Sequence, residues 1–351
     1  MKTPYRKRVL CSAIVAASAS GVAVPVFAQE GVLEEVIVSA TRRAQSVQDV
    51  PYNISAITGD DLSEAGISSA AELFRTVPGV NFVEQGPRSG VNNSNLIIRG
   101  VNAEDPTRVS GPMQTAPVVS TYINETPLFV NLRLKDIDRV EVLRGPQGTL
   151  YGSGSLGGSV RYMYNKANFE EFEGELSGGV GQTENGDGLN YETDLMLNIP
   201  VSDSFALRMN AGYVDYAGFI DQPERYVRRS DGSPELDNGS TDPFGDSANF
   251  FAGQPVFESK DGVNDSETTS ARLTASWIPT DTFEANLSYH YQDDEVGGNQ
   301  MNSYNVYGED SLKNASLIDE PFEREVDVLA LDVDFDVGFA SFSASASTYQ
   351  S

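Results

Sequence analysis

The chain has 351 residues, with 24 Lys and Arg against 51 Asp and Glu and a formal net charge of −27. So acidic a chain does not bind nucleic acid through a basic face. Its single cysteine, Cys11, lies inside an apolar N-terminal run, which removes disulfides, thiol catalysis and thiolate metal sites from the mature chain.

Residues 1–28 read as a secretory signal peptide. Lys2, Arg6, Lys7 and Arg8 precede an apolar run without an acid, and Val26-Phe27-Ala28 closes it ahead of polar Gln29-Glu30. A membrane anchor is the alternative, but the run is short and studded with Ser and Gly. Cys11 precedes most of the run, whereas a lipid-modified cysteine would follow it. Beyond residue 28 no apolar run reaches the length of a spanning helix. An exported chain of this kind is either soluble in the periplasm or an outer-membrane β-barrel.

After the signal comes Leu33-Glu-Glu-Val-Ile-Val-Ser-Ala-Thr-Arg-Arg43, a short β-prone run beside two carboxylates, then a polar stretch from Gln45 to Asp49. It reads as an ordinary first strand, or as a tethered tag that adds itself to the edge of a partner's sheet. From about residue 46 to 165 the pattern is mixed α and β. Asn53 to Ile57 reads as a strand. Thr58-Gly-Asp-Asp61 supplies an N-cap with an acidic first turn, and Ser69-x-x-Glu72 a capping box for a short helix that Pro78-Gly79 ends. Strands are expected at Asn95 to Ile98, Val118 to Ile123 and Asp138 to Leu143. Loops rich in Gly, Pro and Asn cover 84–95 and 102–117.

Within Val140 to Tyr162, Gly152, Gly154 and Gly157 fit the dinucleotide pattern G-x-G-x-x-G. SVRYMY after them alternates like a strand, so no helix N-terminus faces a phosphate. A nucleotide-dependent enzyme is thereby disfavoured. The glycines are expected to let the backbone turn and lie close to a barrel wall, where a Cβ would not fit.

From Phe169 the periodicity becomes strict alternation. Leu189, Tyr191, Thr193, Leu195, Leu197 and Ile199 share one face, with Glu192, Asp194 and Asn198 on the other. The pattern recurs at Phe205–Tyr213, Ala271–Trp277, Phe283–Tyr291 and Leu329–Val337. With Phe172–Gln182 and Phe342–Tyr349 this makes seven strand-like segments. Tight connections (200–204, 279–282, around Gly338) alternate with long acidic ones (217–267, 293–323), as in an outer-membrane barrel. A soluble antiparallel sandwich also alternates, but it seldom holds rows of acids opposite its apolar face. Asp221 to Asp246 lacks metal-ligand spacing and reads as a solvated loop. His290 has no companion for a metal or acid–base site.

EEVIVSATRR resembles the TonB box of TonB-dependent outer-membrane receptors. DVPYNISAITGDDL, AELFRTVPGVNF, LIIRGVN, VSTYINETPLF and IDRVEVLRGPQGTLYGSGSLGGSV resemble that family's plug signatures, in order. The resemblance covers residues 33–165 closely and 169–351 as a barrel pattern. Val160-Arg-Tyr-Met-Tyr-Asn-Lys166 departs from it, since relatives carry a more aliphatic strand there.

The resemblance implies an α+β plug domain (49–166) behind a box and tether (29–48), then the first part of an antiparallel transmembrane β-barrel (169–351). It implies energy-coupled uptake of a scarce solute such as a ferric siderophore, cobalamin or carbohydrate. TonB would pair with Glu35, Val36, Ile37, Val38 and Ser39 and transmit work from the inner-membrane proton gradient. Plug structure would rest on Arg99, Gly100, Glu141, Arg144, Gly145, Gly148, Gly152 and Gly157, with Arg99 and Arg144 paired to acidic side chains. Solute contacts would come from plug loops, at Arg88, Asn92, Asn93, Arg108 and Gln114, where ordinary solvated loop residues are the alternative. No cofactor, metal, nucleic acid or enzyme activity is implied; the outer-membrane lipid is a partner, and the full-length form is a monomer. A passive porin or adhesin needs neither plug nor box.

The family's barrel has about 22 strands around its plug. Seven are odd in number and leave an open edge in lipid, and the last residues lack a terminal aromatic. The chain is therefore expected to be the N-terminal portion of a longer receptor, or a truncated product, unable to transport by itself. With no separate domain between Ala28 and the box, no transcriptional signalling role is expected.

Overall fold

The computed structural model describes residues 37–39, 45–48, 50, 53–67, 69–83, 96–101, 118–128, 130, 132–152, 154–237, 253–309 and 311–350. The signal segment, Glu35, Val36, and the loop residues Arg88, Asn92, Asn93, Arg108 and Gln114 lie outside them.

The first half is built from short elements. Strand β1 (Ile37–Val38) pairs antiparallel with β2 (Gln45–Ser46). Strand β3 (Ile54–Thr58) leads into helix α1 (Gly59–Glu64), and helix α2 (Ala70–Thr76) leads into β4 (Val80–Phe82) and β5 (Leu96–Ile98), which pair with each other. Then come β6 (Val119–Ile123), β7 (Thr126–Leu128), β8 (Ile137–Arg144), the single turn α3 (Gly148–Tyr151) and β9 (Gly158–Tyr164). Five of these strands form one sheet in the order β3-β8-β9-β6-β7, with β6 and β9 parallel.

Caps set the helix starts. The reciprocal box sits at Thr58, whose hydroxyl accepts from the Asp61 amide (3.1 Å) while Asp61 accepts from the Thr58 amide (3.2 Å). At Ser69 the hydroxyl accepts from the Glu72 amide (3.3 Å), and Gly79 (φ 77°) turns the chain out of α2. Leu73, Phe74, Ile98, Val119, Val140, Val142 and Val160 are fully buried between helices and sheet.

The second half is one antiparallel sheet of seven strands. In chain order they are β10 (Glu173–Gly181), β11 (Asn190–Ser202), β12 (Phe205–Tyr216), β15 (Ser266–Thr280), β16 (Phe283–Val296), β17 (Phe322–Asp336) and β18 (Ser341–Gln350). Each pairs with the next, which matches the seven alternating segments. Two-residue turns at 203–204 and 281–282 mark one rim; long connections at 217–265 and 297–321 mark the other. The long connections carry structure that alternation did not foretell: a hairpin of β13 (Gln222–Tyr226) and β14 (Phe257–Lys260), and the turn α4 (Tyr304–Tyr307). The two are joined through Tyr226 N–H to Leu317 O and Asn314 N–H to Asp221 O.

The sheet is inside-out by the standard of a soluble sandwich. Leu287 is 46% and Leu331 40% exposed on its apolar face, whereas Asn198 and Ser276 on the polar face are 0% and 1% exposed. An apolar face of that extent over five long strands is stable against hydrocarbon, not water. Trp277, Phe283 and Phe335 meet edge to face at the short-turn rim, where a barrel carries its aromatic girdle. The polar face is covered by the first half: Val326 and Val328 of β17 join the plug's own core, and inward-pointing charges meet plug charges.

Candidate functional site

Two charged regions tie β1, the five-stranded sheet and the seven-stranded sheet together. In the first, Glu141 of β8 and Arg161 of β9 stand opposite each other in register, both fully buried, with Arg161 Nη1 2.8 Å from Glu141 Oε2. Arg161 also pairs with Glu125 in the β6–β7 turn, and Arg139 Nε donates to Glu141 Oε1 at 2.8 Å. Onto this cluster comes Ser39, just after β1. Its amide donates to Glu141 Oε1 (2.9 Å), and its hydroxyl accepts from Arg161 Nη1 (2.9 Å) and Arg139 Nη2 (3.2 Å). Val38 is fully buried beside it, while Ile37 points outward.

The second region is the seam along residues 132–136, between β7 and β8. Arg133 reaches Glu192 (2.6 Å) and Asp194 (2.7 Å) on β11, and Lys135 reaches the same two carboxylates at 3.1 and 3.2 Å. Asp136 reverses the polarity. It accepts from Arg208 of β12 at 2.7 and 2.9 Å and pairs with Arg272 of β15. Its backbone is held at φ 56°, a strained conformation for a residue with a Cβ. Tyr164 closes the seam: its hydroxyl donates to Arg133 O (3.1 Å), the Arg272 guanidinium lies 4.2 Å above its ring, and the His290 ring stands 5.2 Å away.

Protonation follows from these surroundings. Burial pushes the Tyr164 phenol up to about 12, with Arg272 opposing and Asp136 adding to the shift. Burial alone would lower Lys135, but hydrogen bonds and charge from Glu192 and Asp194 outweigh it and hold the ammonium above its ordinary value. Both groups keep their protons, and so their seam contacts, at neutral pH.

The expected site residues divide accordingly. Ile37, Val38, Ser39 and Glu141 come together at the first region. Arg99 (φ 54°) and Gly100 (φ 75°) form the turn after β5, and Gly145, Gly148, Gly152 and Gly157 shape the loop from β8 to β9, where Gly145 N–H bonds Gly157 O. The acidic pairing expected of Arg99 and Arg144 falls to other arginines. Arg144 donates to the Ser55 hydroxyl, and among the described residues no carboxylate reaches Arg99 or Arg144; Arg139 and Arg161 hold the buried acids instead.

The glycine reading also needs correction. A Cβ on Gly158 would collide with Leu143 O and Ile98, and one on Gly157 would press on Val118 O at 3.3 Å. These are the plug's own strands, not the barrel wall. The glycine that opens the seam is Gly212 of β12, where a Cβ would strike Arg133 Nη1 and Asp194. Strand β9 supplies Arg161 and Tyr164, one to each region.

Residues 46–159 match the TonB-dependent Receptor Plug Domain family. The ferripyoverdine receptor of Pseudomonas aeruginosa is 27% identical over 76% of this chain and 32% of its own length. The pesticin receptor of Yersinia enterocolitica is 29% identical over 50% of this chain and 24% of its own. Among solved structures, the ferric yersiniabactin uptake receptor of Yersinia pestis superposes with a TM-score of 0.57 at 18% identity, covering 82% of this chain and 39% of that one. The chain carries the plug domain of a TonB-dependent receptor over residues 46–159. It spans about a third or less of the length of the two curated relatives named. The superposition is one of fold: a receptor plug with the antiparallel strands that follow it, in a sheet that does not close within this chain.

Proposed function

We propose that this receptor takes up a scarce solute across the outer membrane with energy delivered by TonB, and that the solute is a metal chelate of the siderophore class. The observation that carries the reading is the covered polar face of the sheet. Side chains that would line an open channel, such as Asp194, Arg208 and Arg272, are instead spent on the plug. A passive pore leaves that face to water, so the porin and adhesin alternatives find no support.

In this reading residues 1–28 are a cleaved leader, 29–48 the box and tether, 49–166 the plug and 169–351 barrel wall. Glu35, Val36, Ile37, Val38 and Ser39 contact TonB by strand addition. Arg88, Asn92, Asn93, Arg108 and Gln114 are the solute contacts. The siderophore assignment is supported by relatives named for ferripyoverdine and ferric yersiniabactin, although others are named for hemin and vitamin B12.

The test is uptake of labelled ferric chelates by cells carrying the receptor. Collapsing the proton gradient is expected to abolish it. Val36→Pro, which removes a ladder donor, is expected to lose both uptake and pull-down by the TonB C-terminal domain. Uptake and pull-down that both survive this substitution would remove the box assignment.

A further inference from the structure

The apolar face of the seven-stranded sheet is not even. On β12 and β15, Ala211 and Ala271 stand directly opposite each other among larger side chains. Leu195, Met209, Leu273 and Tyr289 wall in the alanine pair and leave a hollow of about 230 Å³. That is below the roughly 300–1,000 Å³ of a site that encloses a whole small molecule. The hollow fits a stretch of one flexible apolar chain.

Toward the long-connection rim the chemistry of the same face changes twice. Two residues above the alanines, Thr193, Tyr213 and Thr269 lie side by side on β11, β12 and β15, a row of hydroxyls. Two residues further, Asp215 stands opposite Glu267, Glu267 opposite Glu295 and Glu295 opposite Glu323. Carboxylates directly opposite on neighbouring strands repel, so this ladder costs stability unless a cation lies on it. These strands supply none: their basic residues, Arg208, Arg272 and Arg324, face the other way and pair with Asp136 or Asp294.

We propose that the hollow holds an acyl chain of a glycerophospholipid with an ethanolamine headgroup. Its ammonium lies on Asp215 and Glu267, and its phosphate lies level with the hydroxyl row. The hollow selects a chain, and the ladder selects the headgroup. From the alanines to the ladder the strands rise about 14 Å. The headgroup layer takes about 5–8 Å of that, which leaves the upper acyl chain beside the alanines. Because lipid tails are as apolar as leucine, the hollow contributes by close packing and not by excluding water. The ammonium contributes charge and N–H donors, as a lysine does. An anionic headgroup brings only repulsion to the ladder. The proposal requires the sheet to be a membrane wall and does not depend on the solute.

The test reads lipid association directly. The receptor is reconstituted in phosphatidylcholine vesicles with EDTA and a trace of one spin-labelled lipid, and the motionally restricted fraction of the label is measured. Phosphatidylethanolamine is expected to associate about fivefold more strongly than phosphatidylglycerol, the effect of one interfacial charge contact. Glu267→Gln with Asp215→Asn is expected to bring that ratio near one and to leave the fold intact, since each change removes a repulsion. Ala211→Leu with Ala271→Leu fills the hollow on a face that already carries leucine, and is expected to lower phosphatidylethanolamine association to the phosphatidylcholine level. Ala285→Leu, opposite Trp277 at the far rim, is expected to change nothing. Equal association of the two lipids with the parent, or a preference that survives filling the hollow, overturns the proposal. So does a preference for phosphatidylglycerol that appears when magnesium replaces EDTA, because the ladder then holds a metal ion. Self-association on this face that shuts out both lipids overturns it as well.

Discussion

The plug is held at two places by opposite strategies. Along 132–136 it meets the barrel wall with full charges on both sides, positive Arg133 and Lys135 against acids, negative Asp136 against arginines. At Ser39 the tether meets the plug with neutral donors and acceptors laid on charges that are already paired. Removing one ion of a buried pair leaves the other uncompensated, whereas removing a neutral group lets water in. Opening the seam therefore costs more than lifting Ser39 from its cluster.

The seam breaks most severely at Asp136. Asp136→Ala leaves Arg208, nearly inaccessible to solvent, with Glu173 alone at 3.3 Å, and equally buried Arg272 without the carboxylate it pairs with. Losing one partner of such a buried cluster costs about 3–5 kcal/mol. We expect the denaturation midpoint of the plug in detergent to fall accordingly and protease to cut between β7 and β8. Asp136→Asn, which keeps the shape, is expected to recover only part of the loss. If Asp136→Ala were as stable as the parent, the contrast between the two attachments would disappear.

A smaller effect comes from crowding the seam without removing a charge. Gly212→Ala places a methyl group where Arg133 passes to Asp194. The atoms it meets are the ends of flexible side chains, so the cost is that of a loosened Arg133–Asp194 contact, about 1 kcal/mol. The expected signature is loss of the Arg133 contacts with β12–β15 pairing intact, read as faster hydrogen exchange at 132–136 and none along Ala211–Ala271.

Legibility in the sequence divides along the same line. The seven strands could be read because alternation is local: each side chain faces away from its neighbour whatever the strand packs against. The helix caps were legible for the same reason, Thr58 and Ser69 acting on groups three residues away. The inside-out sense of the sheet needed the solvent as well as the pattern, since hydrocarbon reverses which face is outside. The seam was not legible. Leu132-Arg-Leu-Lys-Asp136 looks like a solvated alternating run, and the carboxylates that Arg133 meets lie 59 and 61 residues further on. Nothing local distinguishes Arg208 and Arg272 from polar residues that face water. Arg99 and Arg144 stand in motif-like runs, whereas Arg161, in the plain alternating run of β9, carries the buried pair.

Tyr164 gives the finest test of the seam, because one atom separates it from phenylalanine. Its hydroxyl donates to Arg133 O and its ring stays under Arg272 after substitution. Tyr164→Phe is therefore expected to cost about 1 kcal/mol, the worth of a single hydrogen bond. Its effect on pH dependence is sharper. In the unfolded chain a tyrosine ionises near its ordinary value of 10.0, whereas burial holds the Tyr164 proton to about 12. Between those values the native state binds more protons than the unfolded one, so stability falls as pH rises. Buried Tyr162, raised by the same cause, contributes in the same direction. Denaturation midpoints measured from pH 9 to 12 should therefore decline less steeply in Tyr164→Phe than in the parent. Equal slopes would mean that the phenol is open to water and the seam looser than its ion pairs imply.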